Sequence, residues 1–199
     1  MGAADKNSKK PETQYSASTG ETKNKGSRQK TLNDLFGNGL KSIYSGESQL
    51  LDALPKVAKA VYSEELQDAI QKHLQETKRQ VERLEKIFNR LGIDKSSGEK
   101  CKVMEMLIED GNKIIEEYEE GHVRDSALII AAQKIEHHEI AVYGSLVELA
   151  DVLGKKQVMD LLDRSLQEEE TTDRILTDIA MDVNDDACEM SEEEVYEDA

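Results

Sequence analysis

Tryptophan is absent from this 199-residue chain, phenylalanine and proline occur twice each, and aromatic residues make up 4%. Sandwiches and barrels draw on aromatic strand residues and frequent turn residues, so the composition argues against both. Cysteine is equally scarce. Cys101 and Cys188 stand in polar surroundings and form no disulfide framework, which points to a reducing compartment. No apolar run approaches the roughly 18 residues of a membrane-crossing helix, and the first residues lack the apolar core of a secretion signal. Positive charge is also in deficit, with 26 Lys and Arg against 42 Asp and Glu and a formal net charge of −16. That balance disfavours a general affinity for nucleic acid or anionic membranes in the folded part. The expectation is a cytoplasmic protein with no membrane partner.

What the chain does contain is charge, 34% of residues, spaced between apolar positions with a helical period. Residues 1–31 hold seven Lys or Arg against three Asp or Glu and almost no large apolar side chain, so they read as a disordered basic tail. Any contact with nucleic acid would be weak and confined to that tail. Residues 183–199 hold eight Asp or Glu and no basic residue, and read as a disordered acidic tail. The segment between them, 32–182, reads as the folded domain.

Four long helices are expected within it, over 33–61, 64–91, 123–153 and 156–181, each roughly 40 Å long. Asn33 and Ser63 are candidate N-caps, and Gly92 and Gly154 follow the last periodic residues of the second and third helices. Pro55 removes one hydrogen bond from the first. Tight turns join the first pair and the last pair, forcing antiparallel neighbours. The connection 92–122 is long and carries a shorter helix over 100–119. One long crossover between the second and third helices is the connectivity of an all-α, ferritin-like antiparallel four-helix bundle.

The apolar seams of these helices have polar gaps. On the first helix, Glu47 falls between Ile43 and Leu50. On the second, His73, Glu76, Thr77 and Gln80 fall between Ile70 and Leu84. On the third, Glu136 and Glu139 fall between Ala132 and Tyr143, and on the fourth Glu169 falls between Leu162 and Leu176. Each carboxylate is near the middle of its helix, so the gaps converge on one level of the bundle. Desolvating one charge costs several kcal/mol, and no Lys or Arg occupies these seam positions, which leaves protonation or metal as compensation. A layer of Glu with one His is the donor set of a non-haem dinuclear iron or manganese site. His73 suits either a ligand or a core histidine bonded to a carboxylate. His137 and His138 are read as outward or supporting, Tyr44 and Tyr143 as packing residues, and Glu105, Glu109, Glu168 and Glu170 as solvated.

The blocks LNDLFGNGLKSIYSGESQLLDALPKVAKA, HLQETKRQVERLEKIF, CKVMEMLIEDGNKIIEEYEE, ALIIAAQKIEHHEIAVYGSL and LQEEETTDRILTDIA, in that order and spacing, resemble the YciF-like group of ferritin-like proteins. The resemblance covers nearly all of 32–182. It implies a bacterial, stress-associated helical bundle that forms homodimers and holds a dinuclear metal centre, with no well-defined activity. The wider ferritin-like pattern places Glu on the first helix, Glu-x-x-His on the second and fourth, and Glu or Glu-x-x-Glu on the third. Glu47, Glu76, Glu136, Glu139 and Glu169 match its carboxylates. The histidines depart from it: Arg79 and Thr172 stand three residues after Glu76 and Glu169, and His73 precedes Glu76 by about one turn. A more carboxylate-rich site favours hard ions such as Mn(II) or Fe(III) over a rubrerythrin-like or ferroxidase-like centre. The metal donors expected are therefore Glu47, His73, Glu76, Glu136, Glu139 and Glu169. Two uses stay open. One is peroxide or iron detoxification at a dinuclear Fe or Mn centre. The other is a non-catalytic bundle whose polar layer or metal is structural and whose dimer face or tails bind partners.

Overall fold

The computed structural model describes residues 29–197, so all of the basic segment but residues 29–31 lies outside the described residues. Five α-helices follow one another: α1 Leu32–Ala60, α2 Glu64–Leu91, α3 Lys102–Glu117, α4 His122–Val152 and α5 Lys156–Glu197. A single 3-10 turn, Lys95–Ser97, precedes α3, and there is no strand among the described residues. No described helix is long and apolar enough to cross a membrane.

Local chemistry sets the helix ends. Thr31, not Asn33, caps α1, because Asp34 three residues on reaches back to the Thr31 backbone and completes a reciprocal capping box. The Ser63 hydroxyl caps α2 through the Leu66 N–H, and Gly92 at φ 63° ends it in the left-handed conformation that glycine adopts without strain. α1 runs unbroken through Pro55.

The C-terminus departs from the expectation of a disordered tail. The helix expected to stop at residue 181 continues to Glu197, so the acidic stretch is helical over 183–197. Val183, a turn beyond Ile179, is buried against the same apolar cluster, and no Gly or Pro follows to break the helix. Asp198 and Ala199 lie outside the described residues.

Two apolar clusters occupy the two ends of the bundle. One joins Phe36, Leu40 and Ile43 of α1 to Leu84 and Ile87 of α2, Tyr143 and Leu146 of α4 and Leu162 of α5. The other joins Ala58, Leu66, Ile70, Leu128, Ile129, Leu176 and Ile179. The start of α1 thus meets the end of α2, the end of α4 and the start of α5, so packed neighbours run antiparallel. α2 and α4 run parallel to each other, and the chain must travel back along the bundle between them. α3 makes that journey, packing Met104 against Leu50 of α1 and near Ile135 of α4. The result is the ferritin-like connectivity with a helical crossover. α4 touches α1, α3 and α5, which is why its apolar residues spread around its circumference instead of forming one stripe. α1 and α4 approach closely enough at Gly39 that a Cβ there would stand 2.8 Å from Leu146 Cδ2.

The α1–α2 turn is held by a residue distant in sequence. Asp125, fully buried in the first turn of α4, accepts hydrogen bonds from the Tyr62 N–H at 3.0 Å and the Ser63 N–H at 2.7 Å, while Arg124 donates to the Ala60 carbonyl. Replacing a charged acceptor of two backbone donors strands both of them. Asp125→Ala is expected to lower stability by about 2 kcal/mol, read as a shift in urea midpoint, and Asp125→Asn by less.

Candidate metal centre

Between the two apolar clusters lies a polar layer supplied by all four long helices. Glu47 and Glu139 are fully buried, Glu169 likewise, and Glu136 is 2% exposed. His73 and Glu76 of α2 are buried to slightly lesser degrees. One donor atom each from His73, Glu136, Glu139 and Glu169 lie within 4.8 Å of one another. His73 Nε2 stands 3.4 Å from Glu136 Oε1, and His73 Nδ1 3.9 Å from Glu169 Oε2. The fourth helix brings Glu169 inward because Leu162 and Leu176, two turns away on either side, fix that face of α5 in the core.

The other expected donors have different settings. Glu47 belongs to the layer, where its Oε1 accepts a hydrogen bond from the Tyr143 hydroxyl, but it is not among the four atoms that converge. Glu76 sits at the rim, with Lys72 Nζ and Arg79 Nη2 each 3.7 Å from its Oε1. His137 is largely exposed and turned toward Gln133 and Asp173. Tyr44 packs edge-on against Phe88 and donates to Glu85 at 3.1 Å, away from the layer.

Three supporting residues were not assigned to the site from sequence. Tyr143 was read as a packing residue, yet its hydroxyl holds Glu47. Gln80, noted only as a seam gap, donates to Glu169 and, at 3.1 Å, to Glu168. Arg83 donates to Glu168 Oε1 and to Ser165 Oγ, both at 2.6 Å. The polar gap at Gln80 was the visible signal for that pair; nothing in the local pattern marked Tyr143.

Burial dominates the electrostatics. It raises the carboxyl groups of Glu47, Glu136 and Glu139 well above the usual range, and the neighbouring carboxylates push them further. Burial likewise brings Glu169 up to about 8, against the stabilising hydrogen bonds from Glu136 and Gln80. His73 moves the other way, to about 4, through burial and then the Lys72 charge.

A cation site should leave donor atoms that the protein itself does not use, and this layer does. Glu47 Oε2, His73 Nε2, Glu136 Oε2, Glu169 Oε2 and both oxygens of Glu139 are buried without a hydrogen-bond partner in the protein. Carboxylate oxygens converging with one imidazole fit a hard or borderline divalent ion.

The residues 31–188 match a protein-family model described as Domain of unknown function (DUF892). Protein YciF of Escherichia coli (strain K12) is 46% identical over 152 residues, covering 76% of this chain and 92% of that protein. The crystal structure of the E. coli stress protein YciF superposes with a TM-score of 0.76 at 44% identity, covering 79% of this chain and 99% of that one. YcfI from Rhodopseudomonas palustris superposes with a TM-score of 0.71 at 36% identity, covering 74% of this chain and 94% of that one.

The pH dependence of the metal-free protein follows from these shifts. Glu169 keeps its proton in the native state up to about 8 but loses it near 4.5 when unfolded, so its contribution to stability falls as pH rises between those values. His73 opposes this only between about 4 and 6.5, where the unfolded histidine binds a proton that the native one refuses. Above 6.5 the carboxylate effect is unopposed. Urea titrations in EDTA should show stability declining from pH 6.5 to 8, by about 1.4 kcal/mol per pH unit for each proton retained, and a shallower decline in Glu169→Gln.

Proposed function

The chain belongs to the DUF892 family, and from that premise we propose that it is a YciF-like stress protein holding a dinuclear iron or manganese centre in its buried layer. The observation that carries this reading is the set of unpartnered, converging donor atoms on Glu136, Glu139, Glu169 and His73, with Glu47 beside them. The charge balance supports two ions over one. Glu47, Glu136, Glu139 and Glu169 carry four negative charges when ionised, Arg83 already answers Glu168, and one divalent ion would leave two charges buried.

In this reading the chain's own residues orient the donors. Tyr143 fixes Glu47 by donating to one oxygen and leaves the other free. Gln80 does the same for Glu169, and Arg83 holds Glu168 at the rim so that its charge is balanced outside the layer. Thr172 stands 3.5 Å from His73 Nδ1, where the wider pattern has a histidine, and Arg79 is turned to Glu76. The chemistry that a bound iron or manganese pair supplies is electron exchange with peroxide or with Fe(II) and its oxidant. The reading includes a cytoplasmic homodimer, for which exposed apolar residues such as Met106, Ile130 and Val152 are the available surface.

A second reading is favoured by one observation: His73 is the single histidine among the converging donors. Such a site suits a metal held for stability or storage, and the protein's work would then be binding through its surface.

Metal content and melting temperature separate these. Loading with Mn(II) or Fe(II) should give about two ions per chain and a rise in Tm, corresponding to about 2.7 kcal/mol for each ion at a hundredfold excess over its Kd, which EDTA reverses. The Glu136→Ala, Glu139→Ala pair should lose both effects. A Tm indifferent to EDTA and to both ions would sink the metal reading. Tight binding without turnover of hydrogen peroxide or Fe(II) would leave the second.

A further inference from the structure

Beneath α3 lies a cavity of about 60 Å³ that the metal layer does not account for. Its walls are nearly all aliphatic and come from every long helix and the crossover, including Leu54, Ile70, Ile108 and Leu128. Where it meets the polar layer, the wall is His73, Glu136 and Thr172. There, His73 Nε2 and Glu136 Oε2 are buried with no hydrogen-bond partner in the protein.

On the outside, a more open recess of about 320 Å³ lies between α1 and α3, bordered by Gln49, Asp52 and Lys56. Ala53, Ile108 and Asn112 line both spaces. Those three side chains form the wall that recess and cavity share along the α1–α3 seam.

The space is not a by-product of bulky neighbours. Gly111 lies in the middle of α3, is buried, and borders the cavity; a Cβ added to it would meet nothing within 4 Å. Alanine there would strengthen the helix and fill part of the void, yet the position is glycine.

Size and polarity select the occupant. A cavity of about 150 Å³ admits benzene or xenon, so this smaller one suits a molecule of two or three atoms. Along the aliphatic walls hydrogen peroxide would surrender its hydrogen bonds to water and regain them only at the His73–Glu136 end, whereas an apolar diatomic surrenders nothing anywhere in the cavity. We infer that the cavity under α3 is a holding site for dioxygen, entered along the α1–α3 seam and ending against His73 and Glu136. The binding site stands on its own geometry; its use as an oxidant supply rests on the metal reading above.

Dioxygen is paramagnetic and can be its own probe. In full-length protein kept metal-free with EDTA and equilibrated with dioxygen, the methyl protons of Ile70, Leu128 and Ala131 should relax several-fold faster than those of Leu146 and Leu162, which are equally buried in the other apolar cluster. Gly111→Leu, which grows into the cavity without touching a donor, should bring them down to the Leu146 level and leave metal stoichiometry unchanged. Cavity methyls that relax no faster than Leu146 in the wild type would overturn the inference, as would cross-relaxation from those methyls to resident water. The wild-type comparison decides even if Gly111→Leu fails to fold. Enhanced relaxation in a protein that takes up no metal would keep the dioxygen site and remove the metal reading; metal uptake without enhanced relaxation would do the reverse.

Discussion

Burying four carboxylates in one cross-section of a helical bundle is the constraint around which the rest of this molecule is arranged. Each ionised group removed from water costs several kcal/mol after relaxation, while a domain's net stability is about 5–15 kcal/mol. The layer of Glu47, Glu136, Glu139 and Glu169 therefore exists only with protons or cations in it, and with enough apolar burial elsewhere to hold the helices together. That burial is split in two. Phe36, Leu84, Tyr143 and Leu162 pack at one end and Leu66, Leu128, Leu176 and Ile179 at the other. Helices of 28 residues or more are what allow two full clusters to flank a polar middle.

The supporting hydrogen bonds show how the layer is kept ordered without being neutralised from within. Tyr143 and Gln80 each satisfy one oxygen of a carboxylate and leave its second oxygen unpartnered. Arg83, a cation beside the layer, is engaged by Glu168 and Ser165 and does not reach inward. An internal ion pair would have satisfied the layer permanently. Donors that hold only one side of Glu47 and of Glu169 fix each orientation while leaving its second oxygen open to a proton or a cation.

Periodicity carried the sequence reading far. Apolar seams at 3.5–3.6 residues located the long helices, and all six polar gaps named as donors are buried. It failed where the deciding partner was distant or the face too broad. A seam stripe spans about 100° of a helix and cannot separate its centre from its edge, so Glu76 looked like Glu169 although Lys72 and Arg79 reach it from the rim. Tyr143 fits a seam whether or not its hydroxyl finds a partner, and that partner is on α1, 96 residues away. Asp125 carries no sequence signal of its role, because its hydrogen-bond donors lie in a turn 62 residues earlier. The acidic C-terminus was judged by charge, whereas Val183 and the absence of a helix breaker decided its backbone.

The crossover explains why the two sides of the layer differ. Because α2 and α4 are parallel, some segment must run the length of the bundle, and an extended loop would have met the geometric need. A helix meets it while adding an apolar face, and α3 sets Met104 so close to α1 that a Cβ on Gly46 would stand 3.4 Å from its terminal methyl. The α3 side of the layer is consequently aliphatic down to His73 and Glu136. The α2–α5 side is ionic, with Gln80, Arg83 and Glu168 linked across it and Glu76 at its rim. An aliphatic wall returns nothing for a cation's lost hydration, so the α3 side opposes cations while the ionic α2–α5 side does not. An apolar molecule has the opposite preference. The same topology that makes a long crossover unavoidable thus gives the layer two chemically distinct sides, and helical structure in the crossover is what makes one of them apolar.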